Sequence, residues 1–233
     1  MIALALVAVL AMSRDAVVVG NSNGTPFTYV VLGDSTAAGV GADYDQGIAM
    51  TTARELGRER RVTMLNYAVS GARTKDVLEE QLPGAERIRA DAVLLSVGAN
   101  DVTHLTSVRS MRKSLQEIVR RLRAANPDVA IVITGSPDMG SPPRVPRLLR
   151  GIASWRTKRV NEMFIEEANG LGLTFAPIAA ETGPLFRRDR SLFHPDRFHP
   201  NERGYATWAP VLNGALATAT RSGRPLANSP ARP

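Results

Sequence analysis

The sequence YVVLGDS at residues 29–35 places a glycine, an aspartate and a serine directly after a run of apolar, β-branched residues. A short apolar run that ends at a glycine turn predicts a buried β-strand. In open sheets of parallel strands, ligands bind outside the carboxyl ends of the strands. Ser35 therefore follows a predicted strand at the edge where such a sheet builds its binding sites.

Four further runs of this kind follow along the chain and alternate with helical patterns. The five runs are 27–32, 62–69, 92–97, 129–134 and 173–178. Such alternation predicts a mostly parallel sheet with helices on both faces. We expect an α/β protein with a three-layer α/β/α architecture and a five-stranded, mostly parallel sheet in the flavodoxin-like strand order 2-1-3-4-5.

Apolar spacing predicts the longer helices of these connections. One helix lies between the third and fourth runs, begins near Val108 and is ended by Asn126-Pro127. A second is outlined by Ile152, Trp155, Val160, Met163 and Phe164. It is closed by glycines at positions 170 and 172, and a final helix fits the apolar residues between 205 and 216. Residues 136–146 contain four prolines, which favours a loop that is either a wall of the substrate pocket or a plain connector.

The composition limits the cofactors and partners. The chain of 233 residues has no cysteine and three histidines, which argues against disulfides and structural zinc sites. The net charge of +7 suits nucleic acid, an anionic membrane or an acidic substrate. No basic segment is interleaved with aromatic residues, so we expect no nucleic-acid partner and keep association with a membrane surface open.

The ends of the chain differ in composition from its middle. Residues 2–12 are apolar, too short to cross a bilayer but as long as the core of a signal peptide, although no basic residues precede them. We therefore interpret 1–26 as a signal, an anchor remnant or an extension, 27–220 as the folded domain, and 221–233 as a disordered tail. The apolar start favours a secreted or membrane-associated protein over a cytoplasmic one.

A serine is a poor nucleophile unless an imidazole takes its proton and a carboxylate orients that imidazole. Asp196 and His199 stand three residues apart near the end of the chain, between two prolines that favour a turn. We interpret Ser35, His199 and Asp196 as a candidate catalytic set. His194 is a rival base, but its spacing of two from Asp196 would point the two side chains apart in an extended segment.

Two further residues follow predicted strands and are suited to stabilise a negative oxygen. Gly71 comes after the second run, where a glycine lets the backbone N–H approach a ligand, although a turn glycine is the simpler interpretation. Asn100 comes after the third run and offers its carboxamide, but an asparagine here also fits a turn or a helix cap. Asp101 is the better cap candidate of the neighbouring pair.

Taken in order, four blocks resemble the SGNH (GDSL-type) hydrolase superfamily over about residues 28–215. The blocks are Gly33-Asp34-Ser35, Ser70-Gly71, Gly98-Ala99-Asn100-Asp101 and Asp196-Arg197-Phe198-His199. The resemblance implies an esterase or lipase in which Ser35 is the nucleophile and carries the acyl-enzyme, Asp196 and His199 complete the catalytic triad, and no metal or other cofactor is needed. It also implies an oxyanion hole formed by Ser35, Gly71 and Asn100. Thr36 departs from the family pattern, which often has leucine there.

The implied substrate is a small-molecule or lipid ester, and the oligomeric state is left open. The same residues fit a carbohydrate O-acetylesterase or an acyltransferase. A more distant alternative is a non-catalytic nucleotide-binding domain, since doubly wound sheets carry many functions. That alternative is disfavoured because Gly39-Val40-Gly41 lacks the remaining spacing of a dinucleotide-binding motif.

Overall fold

The computed structural model describes residues 16–222 and places six strands of this range in one sheet. The strands are β1 (Val17–Gly20), β2 (Thr25–Gly33), β3 (Arg60–Asn66), β4 (Ala92–Ser96), β5 (Ala130–Ile133) and β6 (Thr174–Phe175). Their order is β1-β3-β2-β4-β5-β6. The pairings from β3 to β6 are parallel, whereas β1 pairs antiparallel with β3.

The expectation of five strands was wrong by one, because β1 lies within the segment that we assigned to an N-terminal extension. Its run of three valines, Val17 to Val19, is too short to stand out beside the longer apolar run at residues 2–12. It completes the edge of the sheet by pairing Val17 with Met64 and Val19 with Val62. The order of the other five strands is confirmed, since β3-β2-β4-β5-β6 is the order 2-1-3-4-5 in the numbering of the five predicted runs.

Helices connect the strands and cover both faces of the sheet. They are α1 (Ser35–Ala38), α2 (Ile48–Leu56), α3 (Thr74–Asp76), α4 (Leu82–Ala85), α5 (Ala99–Thr103), α6 (Val108–Ala125), α7 (Arg150–Leu171), α8 (Ile178–Arg188) and α9 (Glu202–Ser222). A π-helical segment, Val77–Gln81, joins α3 to α4. Short 3-10 turns lie at Tyr44–Gln46, Arg147–Leu149 and Arg190–Leu192.

The alternation of side chains along β2 separates two hydrophobic cores. Tyr29 and Val31 pack with α2, α8 and α9 on one face of the sheet. Val30 and Leu32 pack with α4, α5, α6 and α7 on the other. All four side chains are fully buried, as expected for a central strand of a parallel sheet with both faces covered. The structure is therefore the three-layer α/β/α sandwich that the pattern predicts.

The two long helices show what apolar spacing can and cannot predict. In α6 the predicted face is buried, and Ser107 caps the helix by accepting a hydrogen bond from the backbone N–H of Ser110 at 3.2 Å. In α7 the predicted face is buried only from Thr157 onward. Ile152 and Trp155, in its first two turns, are 60% and 62% exposed because they lie on the side of the helix that faces solvent, whereas Ser154 on another side bonds to Asp138.

The predicted boundaries at both ends differ from the observed elements. Helix α9 continues through Ser222, two residues into the segment interpreted as a disordered tail. The apolar run at residues 2–12 and the remainder of the tail lie outside the described residues. Between residues 16 and 222, no helix is long and apolar enough to cross a membrane.

Candidate active site

The turn after β2 holds Ser35 at the carboxyl edge of the sheet. Gly33 ends the strand with φ of +146°, and a Cβ atom there would lie 1.9 Å from the carbonyl oxygen of Ser96 on β4. Only glycine fits this contact with a neighbouring backbone. The chain can therefore turn sharply at the end of β2 and bring Ser35 to the first position of α1.

The side chain of Gln81 holds the same turn by two hydrogen bonds to the backbone of Gly33, a role that the sequence analysis missed. Its side-chain amide donates to the carbonyl oxygen of Gly33 and its side-chain oxygen accepts from the N–H of Gly33, both at 2.8 Å. Gln81 is buried, so these bonds are shielded from water. The only sequence signal was a polar residue that immediately precedes the apolar Leu82 in a helical segment.

Asp34 is buried beneath the nucleophile turn, and its carboxylate caps α1. Its Oδ1 atom accepts hydrogen bonds from the backbone N–H of Thr36 at 2.9 Å and from the hydroxyl of Thr36 at 2.8 Å. Burial outweighs these bonds and raises the pKa of Asp34 to about 6. Thr36 thus has a polar partner where the family pattern often has leucine.

The structure brings Ser35, His199 and Asp196 together. The Oγ atom of Ser35 lies 3.0 Å from Nε2 of His199, although the two residues are 164 positions apart. The Nδ1 atom of His199 lies 2.6 Å from Oδ2 of Asp196. The other oxygen of Asp196 accepts from the backbone N–H groups of Phe198 at 2.8 Å and His199 at 3.0 Å, which fixes the loop that carries both side chains.

These contacts decide the charge of Asp196. Partial burial acts to raise its pKa, but the hydrogen bonds from the His199 ring and from the backbone of Phe198 and His199 together outweigh burial and lower the pKa to about 2. Asp196 is therefore ionised across the neutral range and holds the Nδ1 proton of His199. The opposite nitrogen, Nε2, then faces Ser35 as a proton acceptor.

The other two histidines lie outside this arrangement. Nδ1 of His194 is 3.4 Å from the Asp196 carboxylate and accepts a weak hydrogen bond from the Asp196 N–H at 3.3 Å. The expectation that the side chains of His194 and Asp196 point apart was wrong, because the segment is not extended: it turns, with the Arg197 N–H bonded to the His194 carbonyl oxygen. What distinguishes His199 from His194 is its contact with Ser35. His104 follows α5, is exposed, and bonds through Nδ1 to the carbonyl oxygen of Asn100 at 2.9 Å.

The two candidate oxyanion donors lie on loops that are tied to each other and to the nucleophile turn. The side-chain amide of Asn100 donates to the carbonyl oxygen of Ala72 at 3.0 Å, and the N–H of Val69 donates to the carbonyl oxygen of Gly33 at 3.1 Å. Gly71 lies between these two anchors with φ of +89°. Within the described range, its backbone N–H and that of Ser35 donate to no other group.

Asp101 has a different role from the helix cap that we expected for α5. Its Oδ2 atom accepts hydrogen bonds from the backbone N–H and the hydroxyl of Thr74, both at 2.9 Å, so it holds the start of α3 instead. The residue before α5 is Gly98, which has no side chain to form a cap. The role of Asp101 depends on a tertiary contact, since α3 and α5 meet beside Asn100, and a contact between such distant positions has no local sequence pattern.

Ser35 opens into a cleft whose wall is mostly apolar. The loop at 136–146, for which we left a pocket wall and a plain connector open, forms one side of this cleft. The side chains that give the cleft its apolar character are Met139, Pro142, Phe186, Phe193, Phe198 and Trp208.

One charged side chain also lines this cleft. Asp138 is buried and accepts hydrogen bonds from the hydroxyls of Ser141 at 2.6 Å and Ser154 at 2.7 Å. Arg187 forms an ion pair with it. Burial acts to raise the pKa of Asp138, but the serine hydroxyls, a backbone N–H and Arg187 together lower it. Asp138 is therefore a fully partnered structural charge that holds the proline-rich loop against α7 and α8.

No group of three or more histidine, aspartate or glutamate side chains in the described part of the chain is placed to hold a metal ion. The chemistry available at the site is that of a hydroxyl, an imidazole and a carboxylate in series. On a three-layer α/β/α domain, this arrangement defines the class of the serine hydrolases.

Comparison with known proteins gives the family. A model of the GDSL-like lipase/acylhydrolase family matches residues 31–207. A GDSL-like esterase of Mycobacterium tuberculosis is 31% identical over 212 residues, which cover 88% of this chain and 67% of that protein. The chain belongs to the GDSL-like lipase/acylhydrolase family, and its class of reaction is the hydrolysis of carboxylic esters.

Solved structures support the fold. The lipase Lip_vut3 from a goat rumen metagenome superposes with a TM-score of 0.68 at 18% identity, over 81% of this chain and 97% of that one. Phospholipase A1 of Streptomyces albidoflavus superposes with a TM-score of 0.61 at 22% identity, over 81% of this chain and 99% of that one. The two matches agree on the same three-layer architecture.

Proposed function

We propose that this protein hydrolyses carboxylic esters through an acyl-enzyme on Ser35, with His199 as general base and Asp196 as the residue that orients it. The observation that carries the proposal is the continuous chain of contacts from Ser35 Oγ to His199 Nε2 at 3.0 Å and from His199 Nδ1 to Asp196 Oδ2 at 2.6 Å. Each contact is within the range in which a proton can be transferred or shared.

In the first half of the reaction, Ser35 Oγ attacks the ester carbonyl carbon while its proton passes to His199 Nε2. The imidazolium that forms is stabilised by the Asp196 carboxylate. His199 then returns the proton to the oxygen of the leaving alcohol, and the acyl group remains on Ser35. In the second half, His199 takes a proton from water as the water oxygen attacks the acyl carbon. The bond from that carbon to Ser35 Oγ then breaks, His199 returns the proton to Oγ, and the acid leaves.

The negative oxygen of each tetrahedral intermediate needs hydrogen-bond donors that are already in place. We assign this role to the backbone N–H groups of Ser35 and Gly71 and to the side-chain amide of Asn100. The bond from Asn100 to Ala72 supports the assignment, because it uses one amide proton and leaves the second free to face the cleft. It also fixes Asn100 and the loop of Gly71 relative to each other.

The cleft favours an apolar acyl group over a sugar. The aromatic and aliphatic side chains around Ser35 gain free energy when they exclude water from a hydrocarbon chain, by about 25 cal/mol for each Å² buried. A carbohydrate would need several polar partners there, and the one carboxylate that faces the cleft, Asp138, is already partnered. We therefore propose a small-molecule or lipid ester as substrate.

Steady-state kinetics on p-nitrophenyl esters of increasing chain length test the proposal. We expect Ser35→Ala to lower kcat/KM by about 10⁴ or more, since it removes the nucleophile. Ser110→Ala, which changes an exposed serine on α6, is the matched control and should retain full activity. Turnover by Ser35→Ala at the rate of the unchanged protein would refute the assignment.

We also propose that residues 16–222 form the single domain that carries the reaction.

A separate proposal concerns location: we propose that the protein is exported or acts at a membrane. The support for export is the apolar run at residues 2–12. Fractionation of cells that express the full chain tests this location. Recovery of the active protein only from the soluble cytoplasmic fraction would contradict it.

A further inference from the structure

The exposed end of α7 presents an apolar stripe. Leu148, Ile152 and Trp155 recur at intervals of four and three residues, so they share one side of the chain from the 3-10 turn into α7. Leu148 is 94% exposed, and Ile152 and Trp155 are each more than half exposed. Isolated apolar residues on a surface are ordinary, but a helical stripe of large ones marks a binding surface.

The apolar stripe is embedded in positive charge. From residue 139 to residue 161 there is no aspartate or glutamate, whereas this stretch contains five arginines and one lysine. Arg147 and Arg150 line one shallow surface pocket together with Arg190 and Arg197. None of these four arginines forms an ion pair with an acidic side chain in the described range. We call Arg147, Arg150, Arg190 and Arg197 the basic face.

The basic face borders the mouth of the active-site cleft. Arg144, three residues before Arg147, donates its backbone N–H to the carbonyl oxygen of Arg197 at 2.9 Å. Its guanidinium lies over the ring of Phe198, 6.0 Å from the centroid, and Phe198 lines the cleft. Arg197 itself lies between Asp196 and Phe198 in the loop that carries His199. A molecule bound to the basic face therefore lies next to the side of the cleft that Phe198 forms.

From these features we infer that the apolar stripe and the basic face together dock the protein on a lipid bilayer with anionic headgroups. The stripe is confined to the 3-10 turn and the first two turns of α7, where large exposed apolar side chains beside arginines are the combination that inserts below the headgroups of a bilayer. The arginines attract the anionic surface. This inference deepens the proposed function, since it gives the surface from which a lipid ester would reach the cleft.

The charge distribution favours a bilayer over a second copy of this chain. Two copies packed through this face would oppose two sets of four arginines without acidic partners, which is repulsive. A purely anionic partner would satisfy the arginines but would leave Leu148 and Ile152 in water. An anionic bilayer satisfies both, because headgroups and acyl chains lie within one side-chain length of each other.

Vesicle binding by the full chain tests the inference, with Trp155 as a built-in probe. The protein has two tryptophans, and because Trp208 is 2% exposed but lines the cleft, the part of the emission shift that Trp155→Phe abolishes reports on Trp155. We expect a blue shift and co-flotation with vesicles of phosphatidylcholine and phosphatidylglycerol, and much weaker binding to phosphatidylcholine alone. The Ser35→Ala protein should bind equally well, which separates this result from the test of catalysis.

Paired variants locate the surface. Leu148→Ser with Ile152→Ser should lower partitioning by about tenfold per residue. Arg147→Gln with Arg190→Gln should lower it by about fivefold per residue, and only on anionic vesicles. One control is Ile165→Ser, which changes a side chain that is 42% exposed near the other end of α7. The second control is Arg89→Gln, which changes an exposed arginine just before β4, at the amino ends of the strands and away from the cleft. All variants keep residues 1–15, so differences among them report on this face alone.

Each outcome decides the matter. Losses confined to the two paired variants, with unchanged hydrolysis of a water-soluble ester, support the inference. Absence of binding, or equal binding by the paired variants and the controls, overturns it. Binding that depends on the arginines but neither shifts Trp155 nor requires Leu148 and Ile152 indicates a polyanion partner instead of a bilayer. A dimer that Leu148→Ser with Ile152→Ser dissociates indicates contact between copies, which also overturns it.

Discussion

Replacement of Asp34 by asparagine is expected to change how stability depends on pH. In the folded protein, burial raises the pKa of Asp34 from 3.8 to about 6. The folded state therefore holds a proton that the unfolded chain has already released between these two values. Because the folded state binds more protons in this window, the free energy of unfolding falls as pH rises from about 3.8 to about 6 and is then level.

The shift sets the size of this effect. A difference of about two pKa units corresponds to about 3 kcal/mol of unfolding free energy, since each unit is worth about 1.4 kcal/mol. Asp34→Asn removes the titration, while the asparagine oxygen can still accept the bonds from the N–H and the hydroxyl of Thr36. The stability of the variant relative to the unchanged protein should therefore rise by about 3 kcal/mol between pH 4 and pH 7.

Urea unfolding followed by tryptophan fluorescence, at several pH values in this window, measures the difference. A change in stability that the new amide group causes equally at every pH shifts the whole curve of unfolding free energy against pH, and it does not alter the predicted difference between pH 4 and pH 7. Asp128→Asn, which changes an exposed aspartate on the turn between α6 and β5, is the matched control. If the curves of Asp34→Asn and the unchanged protein run parallel across the window, the reasoning about burial of Asp34 is refuted.

Three further outcomes follow from the site. Asp196→Asn should lower kcat by about 10⁴ with little change in stability, because the amide no longer holds the correct tautomer of His199; near-normal kcat would contradict the role of Asp196. Asn100→Ala should lower kcat by about 10² at similar KM, as loss of one oxyanion donor does, whereas a rise in KM at unchanged kcat would assign Asn100 to ground-state binding. Gln81→Met should lower the free energy of unfolding by about 2 kcal/mol, because it leaves the buried N–H of Gly33 unpaired, while the carbonyl keeps its bond from the Val69 N–H; chemical denaturation would show no change if Gln81 were dispensable.

Much of the fold follows from local signals. The five parallel strands carry short apolar runs that end at turn residues, and alternation with helices leaves few arrangements of a sheet. Asp196 and His199 could be paired in advance because a spacing of three, bounded by Pro195 and Pro200, brings their side chains together locally. Their meeting with Ser35 follows from the topology, which returns the end of the chain to the carboxyl edge of β2.

The features that sequence analysis missed depend on contacts between distant positions. The bonds from Gln81 to Gly33 join residues 48 positions apart, and those from Thr74 to Asp101 join residues 27 positions apart. The exposure of Ile152 and Trp155 has a related cause. Helical periodicity tells which residues share a face, whereas burial of that face depends on whether another element lies against it.

The mass of the protein after reaction with a fluorophosphonate tests the central claim most directly. We expect a single adduct, located by peptide mapping to Ser35, which forms far more slowly in His199→Gln and is absent in Ser35→Ala. Labelling of a different serine, or labelling of Ser35 at an unchanged rate without the His199 imidazole, would contradict the claim that this imidazole activates this hydroxyl.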